Sequence, residues 1–147
     1  MNIIFQRKDF SVKKQIDQFS KNNKNSGAMF SFIGKVRNKK NGQVILSIDI
    51  EFYEKMALFQ IKKIIRKLEQ KYPITNYLVI HRFGNLKPGE NILLILVSSK
   101  HRKQGFRFAE ELIDWLKIKV TFWKKENFLR NSEWVSQKES DRLISDI

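Results

Sequence analysis

The stretch from His101 to Trp134, HRKQGFRFAEELIDWLKIKVTFWKKENFLRNSEW, concentrates proton donors and phosphate-binding groups around one amphipathic element. It reads as a helix followed at once by a short extended segment. His101 and Arg102 stand at the helix start, directly after Ser98 and Ser99. Lys117 stands at its end, and Lys124, Lys125 and Glu126 lie just beyond. Unpaired backbone N–H groups at a helix start attract anions, and arginine adds a planar fork matched to phosphate. The bland alternative is that Ser99 caps the helix and His101 is a solvated surface residue.

Lys117 lies four residues after Ile113 and eleven after Phe106, which puts it on an apolar line of the helix. A lysine there either snorkels or sits in a partly dry pocket that frees its amine for proton transfer or attack. Pattern alone favours snorkelling. Lys124 and Lys125 adjoin in an extended segment, so they point to opposite faces and at most one can share a pocket with Lys117. Glu126 shares the face of Lys124 and could orient it, or it forms an exposed ion pair worth little. Trp123 suits core or interface packing better than base stacking. Arg37, read alone, is a surface arginine. Glu51, Tyr53 and Glu54 form either a carboxylate cluster or the decoration of a helix start. No Gly-rich phosphate loop, nucleophile elbow or metal-ligand spacing occurs. Spacing therefore reaches a small anionic ligand handled with lysine assistance, and stops there.

The elements that must position these groups follow from periodicity. Asn2 to Gln6 reads as a strand. Asp9 is expected to cap a helix carrying Val12, Ile16 and Phe19, and Asn22 to Ser26 is a polar turn. GAMFSFIGKVR from Gly27 is a strand, and Asn41-Gly42 signals a hairpin. Gln43 to Tyr53 alternates, with Val44, Leu46, Ile48, Ile50 and Phe52 on one face. Glu54 to Tyr72 is helical and ends at Pro73. Ile74 to Phe83 and Asn91 to Ser99 are strands, the second apolar almost throughout and so central, with GNLKPGE between them as a turn. The helix after Ser99 carries Phe106, Ala109, Ile113 and Leu116 on one stripe, with Phe108, Leu112 and Trp115 beside it. Phe122 to Glu126 is a last strand, and Ser136 to Ile147 is a polar tail. Helices and strands mix without strict alternation, which predicts an α+β fold in one domain over residues 1–147.

Composition bounds the rest. The 147 residues include no cysteine and two histidines, which excludes disulfides and a cysteine nucleophile and argues against a metal site. Lys+Arg of 29 against Asp+Glu of 15 gives +14, which points to polyanionic or phosphorylated partners or to a compositional bias. A basic nucleic-acid-binding module is the rival reading, opposed by scattered lysines and the lack of a recognised motif. MNIIFQRKDF has no signal-peptide pattern, and no apolar run approaches a membrane span, so a cytoplasmic location is expected.

The motifs GAMFSFIGKVR, IEFYEKMA, HRFGNLKPGE, SSKHRKQGF with IDWLK, and FWKKE followed by EW occur in one order from about Gly27 to Trp134. Together they resemble the large, catalytic subunit of molybdopterin synthase, the MoaE family. The resemblance implies an α/β-hammerhead fold with an additional antiparallel sheet. It implies a homodimer inside a heterotetramer, each protomer binding a small ubiquitin-like subunit whose C-terminal Gly-Gly carries a thiocarboxylate. The implied reaction is sulfur transfer to cyclic pyranopterin monophosphate (precursor Z), giving the dithiolene of molybdopterin, with no resident cofactor. A non-catalytic scaffold for a ubiquitin-like partner is the remaining alternative. By the same resemblance Lys117 and Lys124 are the catalytic lysines. Lys35, Val36, Arg37, His101, Arg102, Lys125 and Glu126 bind substrate, His101 and Arg102 acting on the neighbouring protomer's site. Thr121 replaces the family's usual proline, leaving the approach to Lys124 less fixed, and Asn131 replaces a turn glycine.

Overall fold

The computed structural model describes residues 2–129 and 131–135. The expected polar tail at 136–147 lies outside them. Four strands form the first sheet in the order β1 (Ile3–Gln6), β5 (Asn76–Arg82), β7 (Asn91–Ser99), β2 (Ala28–Lys35). β1 runs parallel to β5, and the other pairs are antiparallel. β7 reads as an unbroken apolar run because both of its faces are covered. Leu93, Ile95 and Val97 join the core under α2 (Glu54–Lys71) and α3 (Arg102–Ile118). Leu94 and Leu96 meet Phe19 of α1 (Val12–Asn22) on the other face.

The second sheet is built on β4 (Gln43–Phe52). β8 (Phe122–Phe128) lies along one side, and β3 (Lys39–Lys40) and β6 (Gly84–Leu86) lie along the other. β9 (Ser132–Trp134) pairs antiparallel with the far side of β8. Asn41 and Gly42 both adopt positive φ, 51° and 77°, as a tight hairpin turn between twisted strands requires. A ladder of Phe5, Phe52, Phe83 and Phe122, with neighbouring ring centroids 4.8–5.4 Å apart, joins the two sheets. The mixture of curled sheets and helices is the α+β architecture the sequence predicts.

Five expectations need correction. Ser11, not Asp9, caps α1, its hydroxyl accepting from the Lys14 N–H at 3.2 Å. The Asp9 carboxylate instead accepts from Asn91 Nδ2 and sits 3.8 Å from Arg82. The alternation in β4 breaks at a bulge between Ile45 and Ser47, so Ile45, Ile48 and Ile50 are buried while Val44 and Leu46 are exposed. GNL is a strand rather than a turn, stitched to β4 where Asn85 and Asn127 both donate to the Asp49 carboxylate at 2.8 Å. β8 runs two residues further than Glu126, and β9 follows it as a strand that the sequence pattern does not predict. The buried stripe of α3 is Phe108, Leu112, Trp115 and Leu116, while Phe106 is mostly exposed and packs its ring on Phe30.

Helix α3 approaches the first sheet closely at Gly105. A Cβ there would stand 2.6 Å from the Ser99 hydroxyl and would overlap the Phe30 ring. Glycine normally weakens a helix interior, so its presence marks a contact that no larger residue permits. Gly105→Val is therefore expected to destabilise the fold by roughly 1–3 kcal/mol, the usual cost of overpacking. An unchanged midpoint in urea denaturation would show that the helix can simply move away.

Candidate active site

The two sheets and α3 enclose a hollow of about 410 Å³, within the range of small-molecule sites. Each wall brings a different group. The register of β2 on β7 shifts between Gly34 and Lys35, and the chain then leaves the sheet. Val36 anchors that exit: its N–H donates to the Glu90 carbonyl, its own carbonyl accepts from Gly89 N–H, and its side chain is buried. Lys35 and Arg37, on either side, are exposed and line the hollow. The last turn of α3 contributes Ile113, Leu116 and Lys117. Lys117 is an exposed residue at this edge, not a member of the buried stripe, so the predicted apolar line ends just short of it.

β8 supplies the opposite wall. Lys124 and Glu126 leave one face and line the hollow, while Lys125 leaves the other, its amine 5.8 Å from the centre of the Trp134 ring. Burial pushes the Lys124 amine below the ordinary lysine range, and the nearby Lys117 charge pushes it further. Glu126 is 4% exposed, and Lys40 Nζ lies 3.4 Å from its Oε1. Its ion-pair partner is therefore Lys40, not Lys124 as expected from the strand alternation. Glu126 Oε2 is buried with no hydrogen-bond partner among the described residues. Trp123 is half-exposed rather than core.

Thr121 does more than replace a proline. Its N–H donates to Gln60 Oε1 at 3.0 Å, tying the entry of β8 to α2 through a donor that proline lacks. The approach to Lys124 is thus held by a hydrogen bond instead of a ring. The turn after β8 closes with Phe128 N–H donating to the Asn131 carbonyl.

The His101–Arg102 pair is elsewhere. It lines a second, open depression with Lys100, Lys103 and Arg107 around the start of α3. Lys117 lies fifteen residues along the same helix from Arg102, about 22 Å at 1.5 Å per residue. Ser99 does not cap α3. Its hydroxyl donates to the His101 carbonyl at 2.7 Å, and His101 occupies the N-cap position without a side-chain capping bond. Glu51, Tyr53 and Glu54 lie outside the hollow, all exposed.

The imidazole inside the hollow is His81, which spacing did not single out. It is 3% exposed and stacks flat on Phe122, with centroids 3.8 Å apart and planes at 5°. Burial above all, then the Lys124 charge, pushes its pKa down to about 3, so it is neutral at physiological pH. The one signal in the sequence was a polar residue placed in YLVIHR, where a strand buried on both faces calls for an apolar one.

This is an α+β protein whose two sheets and third helix frame a cationic, partly apolar hollow. The MoaE protein family model matches residues 5–119. The chain belongs to the MoaE family. The molybdopterin synthase catalytic subunit of Brucella melitensis is 34% identical over 143 residues, 96% of this chain and 86% of its own length. The molybdopterin synthase structure from Staphylococcus aureus superimposes with a TM-score of 0.83 at 29% identity, covering 92% of this chain and 98% of that one. A complex of subunits 1 and 2 of the molybdopterin-converting factor from Helicobacter pylori gives a TM-score of 0.78 at 18% identity, over 94% and 92% of the respective chains.

Proposed function

We propose that the protein is the catalytic subunit of a molybdopterin synthase. It takes sulfur from the thiocarboxylated Gly-Gly tail of a small ubiquitin-like subunit and delivers it to precursor Z. The observation that carries this reading is the convergence of Lys117 and Lys124, seven positions apart in sequence, on one hollow rimmed by Arg37. Membership of the MoaE family and the catalytic-subunit relatives support it. The H. pylori two-subunit complex, of the same fold, supports a small partner subunit.

In this reading Arg37 and Lys35 hold the phosphate at the rim, and buried Val36 fixes where they project. Lys124, desolvated and repelled by Lys117, has a larger neutral fraction near pH 7 than an ordinary lysine, which suits it to exchange protons as the cyclic phosphate opens. Lys117, more exposed, meets the incoming tail and polarises its acyl carbon. Glu126 accepts from the pterin with Oε2, the oxygen that has no partner among the described residues. His101 and Arg102, too distant within one protomer, belong to the hollow of a second copy in a homodimer. The reaction proceeds in the cytoplasm.

The test is co-purification with a Gly-Gly-tailed small protein, followed by single-turnover conversion of precursor Z with its thiocarboxylated form. Dithiolene product should appear in one turnover per pair of tails consumed. A stable complex that forms no product would leave only a scaffold. Binding to random DNA whose affinity falls steeply with salt would favour the basic-module reading.

A further inference from the structure

His81 sits in the wall of the hollow and has no part in the reaction as laid out above. Its ring covers Phe122, and Phe122 precedes Lys124 by two residues on β8. Side chains two apart leave the same face of a strand about 7 Å from one another. A ring laid over Phe122 therefore borders the path of the Lys124 side chain, and the two groups sense each other's charge.

The orientation of the ring is set from behind. Nδ1 lies 2.8 Å from the Arg82 carbonyl oxygen. A carbonyl only accepts, so Nδ1 carries the hydrogen, and in the neutral ring Nε2 keeps its lone pair. Arg82 is itself clamped. Its guanidinium donates to the Arg7 carbonyl at 3.0 and 2.8 Å and to the Asn91 carbonyl at 2.9 Å, and pairs with Glu90 at 3.1 Å. The Phe122 stack blocks one face of the ring.

The charged groups lining the hollow come from every wall: Lys35 at the end of β2 and Arg37 just after it, Lys117 from α3, and Lys124 and Glu126 from β8. Among the described lining residues His81 is the only neutral nitrogen base. We propose that His81 is the positioning residue for Lys124: a rotation of the flexible Lys124 side chain brings its amine to Nε2, which accepts a hydrogen bond from it and aims that amine at the bound anion. The inference rests on the reading of Lys124 as an acid–base group.

Two measurements test it. Since the chain has two histidines, nitrogen-15 NMR of the unmodified protein resolves the tautomer of each ring. His81 should show a protonated Nδ1 and an unprotonated Nε2 from pH 5 to pH 9. The second measurement is the titration of Lys124, read by pH-dependent acetic-anhydride labelling and peptide mass spectrometry without substrate or partner. Its failure is thereby separate from any failure of the sulfur-transfer reading.

An ammonium is a stronger donor than an amine, so removing the acceptor should move Lys124 to lower pH. His81→Phe keeps the stack and removes the lone pair. It should show that shift and a roughly 10–100-fold lower kcat, the scale of a misaimed catalytic group, with KM little changed. His81→Gln, whose amide oxygen reaches the Nε2 position, should recover much of both. His81→Asn, whose amide nitrogen mimics Nδ1, should recover neither. An Nε2-protonated tautomer in the parent protein overturns the proposal. So does an unmoved Lys124 titration in folded His81→Phe, or equal behaviour of the Gln and Asn variants.

Discussion

Lys124→Ala is expected to slow single-turnover dithiolene formation by about 10²–10⁴-fold, the range for loss of a general acid–base group. Lys125→Ala, which alters the strand face turned toward Trp134, should cost much less. Lys124→Arg should be nearly as slow as Lys124→Ala, because a guanidinium does not give up its proton in this pH range. The parent rate should climb as pH rises through the depressed Lys124 pKa, set by burial and by Lys117. Lys117→Ala removes that cation, so the Lys124 amine should titrate at higher pH, closer to an ordinary lysine. Anhydride labelling of the Lys124 peptide reads this shift independently of turnover. A Lys124→Ala variant that turns over at the parent rate would remove the lysine from the chemistry.

The same lysine carries a stability cost with a definite sign. With the folded pKa below the unfolded value, the unfolded chain binds more protons between the two, so stability rises with pH across that window. Below it, both states are charged and the folded state bears the full cost of desolvating the ammonium. Lys124→Met should therefore raise the urea midpoint at pH 7 while it abolishes turnover. Such opposition between stability and activity is expected where a fold is strained for function.

What the sequence made readable was whatever depends on local pattern. The Asn41-Gly42 turn, the doubly covered β7 and the helical stretch before Pro73 all follow from spacing and composition within a short window. Errors arose where a distant contact overrode the local signal. Alternation in β4 promised a buried Val44 and Leu46, but the bulge opposite Phe128 inverts the strand's faces there. GNL looks like a turn until Ser47 and Asp49, far away in sequence, accept from Asn85 and β4 pairs with it. For the candidate site, the opposed faces of Lys124 and Lys125 were legible because strand geometry alone decides them. The partner of Glu126 was not, since Lys40 reaches it across eighty-six positions. His81 was invisible for a related reason: only the packing of β5 against β8 tells an imidazole in a reactive hollow from a satisfied core histidine.

The separation of the two cationic depressions makes a sharper prediction than any single substitution. Within one protomer, His101 and Arg102 stand at one end of α3 and Lys117 at the other, so a site needing all of them must be completed by a second copy. A two-fold dimer does this reciprocally, giving two sites, each with lysines from one chain and the His-Arg pair from the other. A Lys124→Ala chain and an Arg102→Ala chain should each be nearly inactive alone. Co-expressed in equal amounts, half of the dimers carry one of each. In such a mixed dimer, one site receives intact Lys124 from the Arg102→Ala chain and intact Arg102 from the Lys124→Ala chain, while the other site has lost both. Activity should therefore return to about a quarter of the parent level, half of the dimers with half of their sites working. If the His-Arg pair instead served its own protomer's hollow, every site in the mixture would lack one group or the other, and no activity would return. The co-expressed pair thus distinguishes a shared site from a self-contained one by the presence or absence of turnover, with both single variants as internal controls.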